Sequence, residues 1–253
     1  MNTKNLKYLC LLTITITQVF FCAAQQKTID QKVDSVLKLM TLDEKIGQLF
    51  MVAAYSNKDE TSYQAIDKYI KDYKVGGLIF FQGTPQKQAE LTNRYQAESK
   101  VPLWIGFDGE WGLGMRLDSV INFPRQLMMG AVPDAKLIYA FGKAVGEQCK
   151  RIGIQVNYAP DIDINNNPEN PVINDRSFGE DKFKVATYGA AYTNGMQSLG
   201  VMACAKHFPG HGFVKADSHH EIPIDRRSLR AILADDARPY EWLSTSLASE
   251  IGR

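Results

Sequence analysis

From Leu49 to Ala205 the chain alternates short apolar runs with longer segments whose apolar residues recur at helical spacing. Residues 49–54, 75–81, 101–107, 154–158 and 201–205 read as strands by their length and apolar content. Residues 63–73, 85–98, 135–152 and 182–199 read as helices, with Ile66, Tyr69 and Ile70 as the expected inward face of the first. Repeated strand–helix–strand succession leaves few solutions: the strands pair in parallel through right-handed crossovers, and helices cover the sheet. The run Val201-Met202-Ala203-Cys204-Ala205 has no polar face, as expected of a strand buried on both sides. The expected fold is therefore α/β, a TIM-type (β/α)8 barrel whose pattern stops after about five β/α units. A length of 253 residues suits one such barrel or a large part of one. Five units of eight would leave open sheet edges, so a missing C-terminal barrel segment or a fused domain is an open expectation.

Residues 1–24 stand outside this pattern. Lys4 and Lys7 precede an apolar stretch from Leu9 to Cys22, and Cys22-Ala23-Ala24 supplies small residues ahead of Gln25. That is the layout of a secretory signal peptide, so the mature chain, residues 25–253, is expected to be exported to the periplasm or beyond. The apolar stretch is short for a bilayer, and no stable membrane span is expected after cleavage. A lipoprotein signal at Cys22 is the alternative, although Val19-Phe20-Phe21 is bulky where small residues belong. Cleavage leaves Cys149 and Cys204, too few for a disulfide framework; both are expected to be core thiols. After the leader, residues 28–39 carry Ile29, Val33, Val36 and Leu37 at helical spacing, and Thr41 stands three residues before Glu44 as in a capping box. A net charge of +1 with 45% hydrophobic residues is ordinary globular composition and gives no reason to expect a nucleic-acid partner.

Polar residues gather after the strands, where a barrel places its active face. The third strand runs into Asp108-Gly109-Glu110-Trp111-Gly112. The fourth is followed by Asp161 and Asp163 and then by Asn174-Asp175-Arg176-Ser177-Phe178-Gly179; the acidic residues lack the full spacing of a calcium loop. The fifth ends in Lys206-His207-Phe208-Pro209-Gly210-His211-Gly212, with Asp217-Ser218-His219 just beyond. All four histidines lie between His207 and His220. Three readings of this stretch are open. His207, His211, Asp217 and His219 could ligate zinc, but the chain has neither an HExxH helix nor paired CxxC motifs, and no metal is expected. The histidines could cap backbone groups in a structural loop. Or cation, imidazole and carboxylate together form a polar active site.

The string K-H-F-P-G-H-G-x4-D-S-H resembles the active-site segment of family-3 glycoside hydrolases, in their β-N-acetylglucosaminidase branch. Met40-Thr41-Leu42-Asp43-Glu44-Lys45-Ile46-Gly47-Gln48-Leu49-Phe50 is similar to the family's opening, and N-x-R-S-F-G matches it around Arg176. Asp108-Gly109-Glu110-Trp111-Gly112 fits only in part, because the family shows D-x-E-G-G or D-E-G-G and Trp111 takes a glycine position. The resemblance covers about residues 28–224. It implies hydrolysis of terminal β-linked N-acetylglucosamine from peptidoglycan or chitin-type saccharides by a retaining mechanism, with a carbohydrate substrate and no cofactor. It implies that Asp108, Arg176, Lys206 and His207 hold the sugar. It also implies that His219, oriented by Asp217, is the acid/base. An ion pair of Arg176 with Asp175 or Glu180 is the alternative for the arginine. The family's nucleophile, an aspartate after a later strand, has no counterpart legible here; residues 225–253 read as an atypical tail in which Asp235 and Asp236 are unassigned. A β-glucosidase of the same family, or a non-catalytic sugar-binding fragment, are the competing functions.

Overall fold

The computed structural model describes residues 28–251, with side chains to residue 245; the candidate signal peptide lies outside the described residues. These fall into two compact units divided between Ile46 and Gly47. In the first, α1 (Ile29–Leu39) starts at Thr28, whose hydroxyl accepts from Gln31 N while the Gln31 amide oxygen accepts from Thr28 N. α2 (Leu42–Gly47) is opened by the expected capping box: Glu44 N donates to Thr41 Oγ1 at 3.2 Å and Thr41 N to Glu44 Oε2 at 2.9 Å.

The second unit holds a five-stranded sheet in the order β1 (Met51–Ala54), β2 (Gly77–Phe80), β3 (Trp104–Phe107), β4 (Val156–Asn157) and β5 (Met202–Ala203). Every pair is parallel, with Val52 opposite Leu78, Leu78 opposite Ile105 and Phe107 opposite Asn157. Sequential order and parallel pairing are what strand–helix alternation dictates, and the unit is a (β/α)-barrel-type domain. The connections carry α3 (Glu60–Tyr73), α4 (Pro85–Glu98), α5 (Gln126–Gly130), α6 (Ala135–Arg151) and α7 (Lys182–Gln197). The chain then continues into α8 (Leu229–Ala234) and α9 (Arg238–Ile251). Local signals set the helix starts: Asp59, Thr84, Asp134 and Asp181 each accept from a backbone N–H of the first turn, and Pro85 needs no donor there.

The core is formed by Leu78, Phe80, Ile105 and Phe107 of the sheet against Leu91 and Tyr95 of α4, Ile138 and Val145 of α6 and Tyr192 of α7. Each such buried side chain contributes about 1.5–3 kcal/mol relative to exposure. Two expectations fail. In α3 the buried residues are Tyr63, Ile66 and Ile70, while Tyr69 is 42% exposed, because the core-facing stripe follows the i, i+3, i+7 row. Val201 is buried, but Met202 and Cys204 are exposed, since β5 pairs only with β4 and lies at the edge of the described sheet. Cys149 is a core thiol as expected, its pKa pushed up to about 12 by burial.

Candidate active site

Three strand ends deliver the polar residues. Asp108 follows β3 directly, and the next two residues are pinned from neighbouring elements. Asn157, buried at the end of β4, takes the Gly109 backbone in both directions: its Oδ1 accepts from Gly109 N at 2.9 Å and its Nδ2 donates to Gly109 O at 3.0 Å. The Tyr192 hydroxyl of α7 donates to Glu110 O at 3.0 Å. After β4, Ile162 N donates to Lys206 O and Lys206 N to Pro160 O, so the loops beyond β4 and β5 stay in register past the strands. These backbone contacts set the geometry before any side chain is placed.

On that frame Lys206 Nζ lies 2.5 Å from Asp108 Oδ1 and 2.8 Å from Glu110 Oε1. Arg176 forks the same carboxylate, with Nη2 at 2.7 Å from Oε1 and Nε at 3.0 Å from Oε2. Arg116 pairs with the other oxygen of Asp108. Glu110 is fully buried and joins residues from three strand ends. Sequence reasoning left it without a role; its signal was a second carboxylate two positions after the strand-end aspartate. Burial works to raise the pKa of both carboxyls. Lys206 with Arg116 for Asp108, and Arg176 with Lys206 for Glu110, outweigh it and hold both below their ordinary values. Arg176 does not pair with Asp175 or Glu180; Asp175 is taken by Arg125 at 2.8 Å.

His207 sits between this network and a second pair of acids. Its Nδ1 is 2.6 Å from Asp163 Oδ2, so Nδ1 carries the proton and Nε2, 3.2 Å from Arg176 Nη2, is left to accept. Asp163 also accepts from the backbone of His207 at 3.1 Å and of His211 at 2.5 Å. Asp161 is buried at 3.6 Å from Arg176 Nη2, its Oδ2 without a hydrogen-bond partner. Burial first, then Asp163 and Glu110, push its pKa well up. Asp161, Asp163 and His207 lie close enough to share a cation. Yet both ring nitrogens of His207 and both oxygens of Asp163 already have partners, which makes the trio a hydrogen-bonded support.

His211 is buried and, among the described residues, neither ring nitrogen has a hydrogen-bond partner, while its carbonyl accepts from Asn170 Nδ2 at 2.7 Å. Asp217 and His219 do meet: His219 Nδ1 is 2.6 Å and its backbone N 2.9 Å from Asp217 Oδ1. The backbone N–H and then the ring of His219 lower the Asp217 pKa. This pair stands apart from the buried network, with the His219 side chain 71% exposed. Residues 213–216 on one side of it and Glu221, Ile222, Ile224 and Arg226 on the other line an open cavity of about 500 Å³ together with Asn166 and Asn167. The tail residues are also placed: Asp235 pairs with Lys182 at 2.6 Å, and buried Asp236 with Arg227 at 2.7 Å. A Cβ on Gly210 would come within 2.3 Å of Asp236 Cβ, so the segment after residue 225 packs directly on the histidine-bearing loop.

Carboxylate, guanidinium, ammonium and imidazole thus converge at the strand ends, with an exposed Asp–His pair on the loop that follows. The profile of the glycosyl hydrolase family 3 N terminal domain matches residues 41–247. The chain belongs to glycosyl hydrolase family 3. The match passes Ile224, where legible resemblance stopped, and takes in most of the tail. A beta-hexosaminidase of Bordetella avium (strain 197N) is 36% identical over 188 residues, 70% of this chain and 53% of that protein. A family-3 β-N-acetylglucosaminidase from Paenibacillus sp. FPU-7 superposes with a TM-score of 0.74 at 34% identity, covering 81% of this chain and 40% of that one. The β-glucoside phosphorylase BglX superposes at 0.79 with 26% identity, covering 86% of this chain and 39% of its own. This family-3 chain thus spans about half the length of the curated relatives it matches. Among the described residues no helix is long and apolar enough to cross a membrane.

Proposed function

We propose that this chain carries the sugar-holding half of an exported β-N-acetylhexosaminidase. It would release terminal β-linked N-acetylglucosamine from peptidoglycan or chitin-type saccharides. The observation that carries the reading is the meeting of Asp108, Arg176, Lys206 and His207 in one hydrogen-bonded group at the ends of β3, β4 and β5. Asp108 accepts from sugar hydroxyls, whereas Lys206 and Arg176 donate to them. His219 is the acid/base of the proposal. Asp217 holds Nδ1–H, which leaves Nε2 to carry the proton to the glycosidic oxygen as the C–O bond breaks, and then to take one from the attacking water. Retention requires a carboxylate on the opposite face to form and then lose the glycosyl bond.

The test is calorimetry of the folded chain with N-acetylglucosamine and with glucose. Tighter binding of N-acetylglucosamine, weakened by Asp108→Ala and Lys206→Ala, is the expected result; no binding of either sugar by a folded sample would refute it. The similarity to a β-glucoside phosphorylase favours a second reading, a glucoside-directed site, for which glucose would bind at least as well. Export rests on residues 1–24 and is checked by fractionating cells that express the full chain.

A further inference from the structure

Gln126 is the first residue of α5, fully buried, and without a place in the network above. With its amide oriented by its neighbours, Nε2 donates to Arg176 O at 3.1 Å and Oε1 accepts from Asp161 N at 3.1 Å. One side chain thus holds the backbone of both the sugar-facing arginine and the acid beside its guanidinium. The preceding residue makes a parallel tie. Arg125 Nη1 lies 2.9 and 2.8 Å from the two oxygens of Asp175, and its guanidinium covers the Trp111 ring at 4.6 Å. At the other end of α5, a Cβ on Gly130 would fall 2.0 Å from Phe178 O, so the helix lies against the backbone just after Arg176.

We propose that Gln126 is the positioning residue for Arg176, with Arg125 and Trp111 as its outer brace. The proposal rests on the reading of Arg176 as a sugar ligand. Glu110 fixes the guanidinium end of Arg176, and Gln126 fixes its carbonyl; only with both ends held does the side chain reach the sugar at one height. A long cationic side chain on an unbraced turn would lose affinity through extra freedom rather than through a missing contact.

The experiment is a double-mutant cycle on the full chain, read by calorimetric titration with N-acetylglucosamine, with thermal melting as a check on folding. Gln126→Met keeps the volume and removes the amide. It is expected to weaken binding about tenfold, on the scale of lost hydrogen bonds. In an Arg176→Ala background it should weaken it no further. Arg125→Met, at a half-exposed position, provides the same cycle if Gln126→Met fails to fold, with a loss of about threefold expected. Unchanged affinity in a folded Gln126→Met chain, with Arg176→Ala clearly weaker, would overturn the positioning role alone. An equal loss in both backgrounds would also overturn it, since that is general loosening. If Arg176→Ala binds like the parent, the sugar reading of Arg176 fails and takes this inference with it.

Discussion

Glu110→Gln removes one negative charge from the centre of the network and keeps its shape. In the parent, the buried carboxylate serves Lys206 at 2.8 Å and Arg176 at 2.7 and 3.0 Å. A hydrogen bond to a charged group is worth about 1.5–3 kcal/mol, and breaking a buried pair on one side costs about 3–5 kcal/mol. Neither cation is stranded by the change. Lys206 keeps Asp108 at 2.5 Å, and Arg176 keeps its hydrogen bond to Val172 O at 3.3 Å with Asp161 3.6 Å away. Both cations are also slightly exposed, at 15% and 17%, so water offsets part of the loss. A net destabilisation of about 2–4 kcal/mol follows. For a domain of this size that lowers Tm by about 4–16 °C. The assay is thermal unfolding of parent and variant across a pH series. Because the folded pKa of Glu110 lies below its ordinary value, its contribution is complete above the unfolded pKa and is lost as pH falls through the depressed folded pKa. The gap between parent and variant must therefore be widest near pH 7 and close on acidification. Equal melting at pH 7, or a gap that widens in acid, would refute the assignment of Glu110 as the charge that joins the three strand ends.

Two further expectations concern side chains outside the buried network. His219→Ala truncates an exposed side chain, so stability read by thermal melting should change by less than about 0.5 kcal/mol and affinity for N-acetylglucosamine should hold. The Asp217 pKa should rise, because one of the hydrogen bonds that lowers it is gone, and carbon-detected NMR titration reads that shift. A large stability loss would mean the pair is structural. Thiol alkylation followed by peptide mapping should label exposed Cys204 in the native chain and reach Cys149 only on unfolding, since burial suppresses its thiolate. Native labelling of Cys149 would contradict the packing of α6.

What the sequence determined by itself is what nearest neighbours and hydrophobic period control. The parallel order of the strands follows from alternation, and α4 begins and ends as read, because Thr84 and Pro85 set its start. The Thr41–Glu44 capping box was legible because it joins residues three positions apart, and the Asp217–His219 pair was implied by the resemblance. Asp108, Arg176, Lys206 and His207 were named from resemblance, and the structure brings them together. Their true partners were not legible. Arg176 reaches back to Glu110 rather than to adjacent Asp175, His207 leans on Asp163, and Gln126 holds two backbone groups far along the chain. The exposure of Cys204 and Met202 likewise depends on β5 having one strand neighbour, which an apolar run does not reveal. Local hydrogen bonds are written in spacing. A buried charge instead takes whichever opposite charge the packed strands bring within about 3 Å, because in a low-dielectric interior leaving it unpaired costs more than any preference for a sequence neighbour.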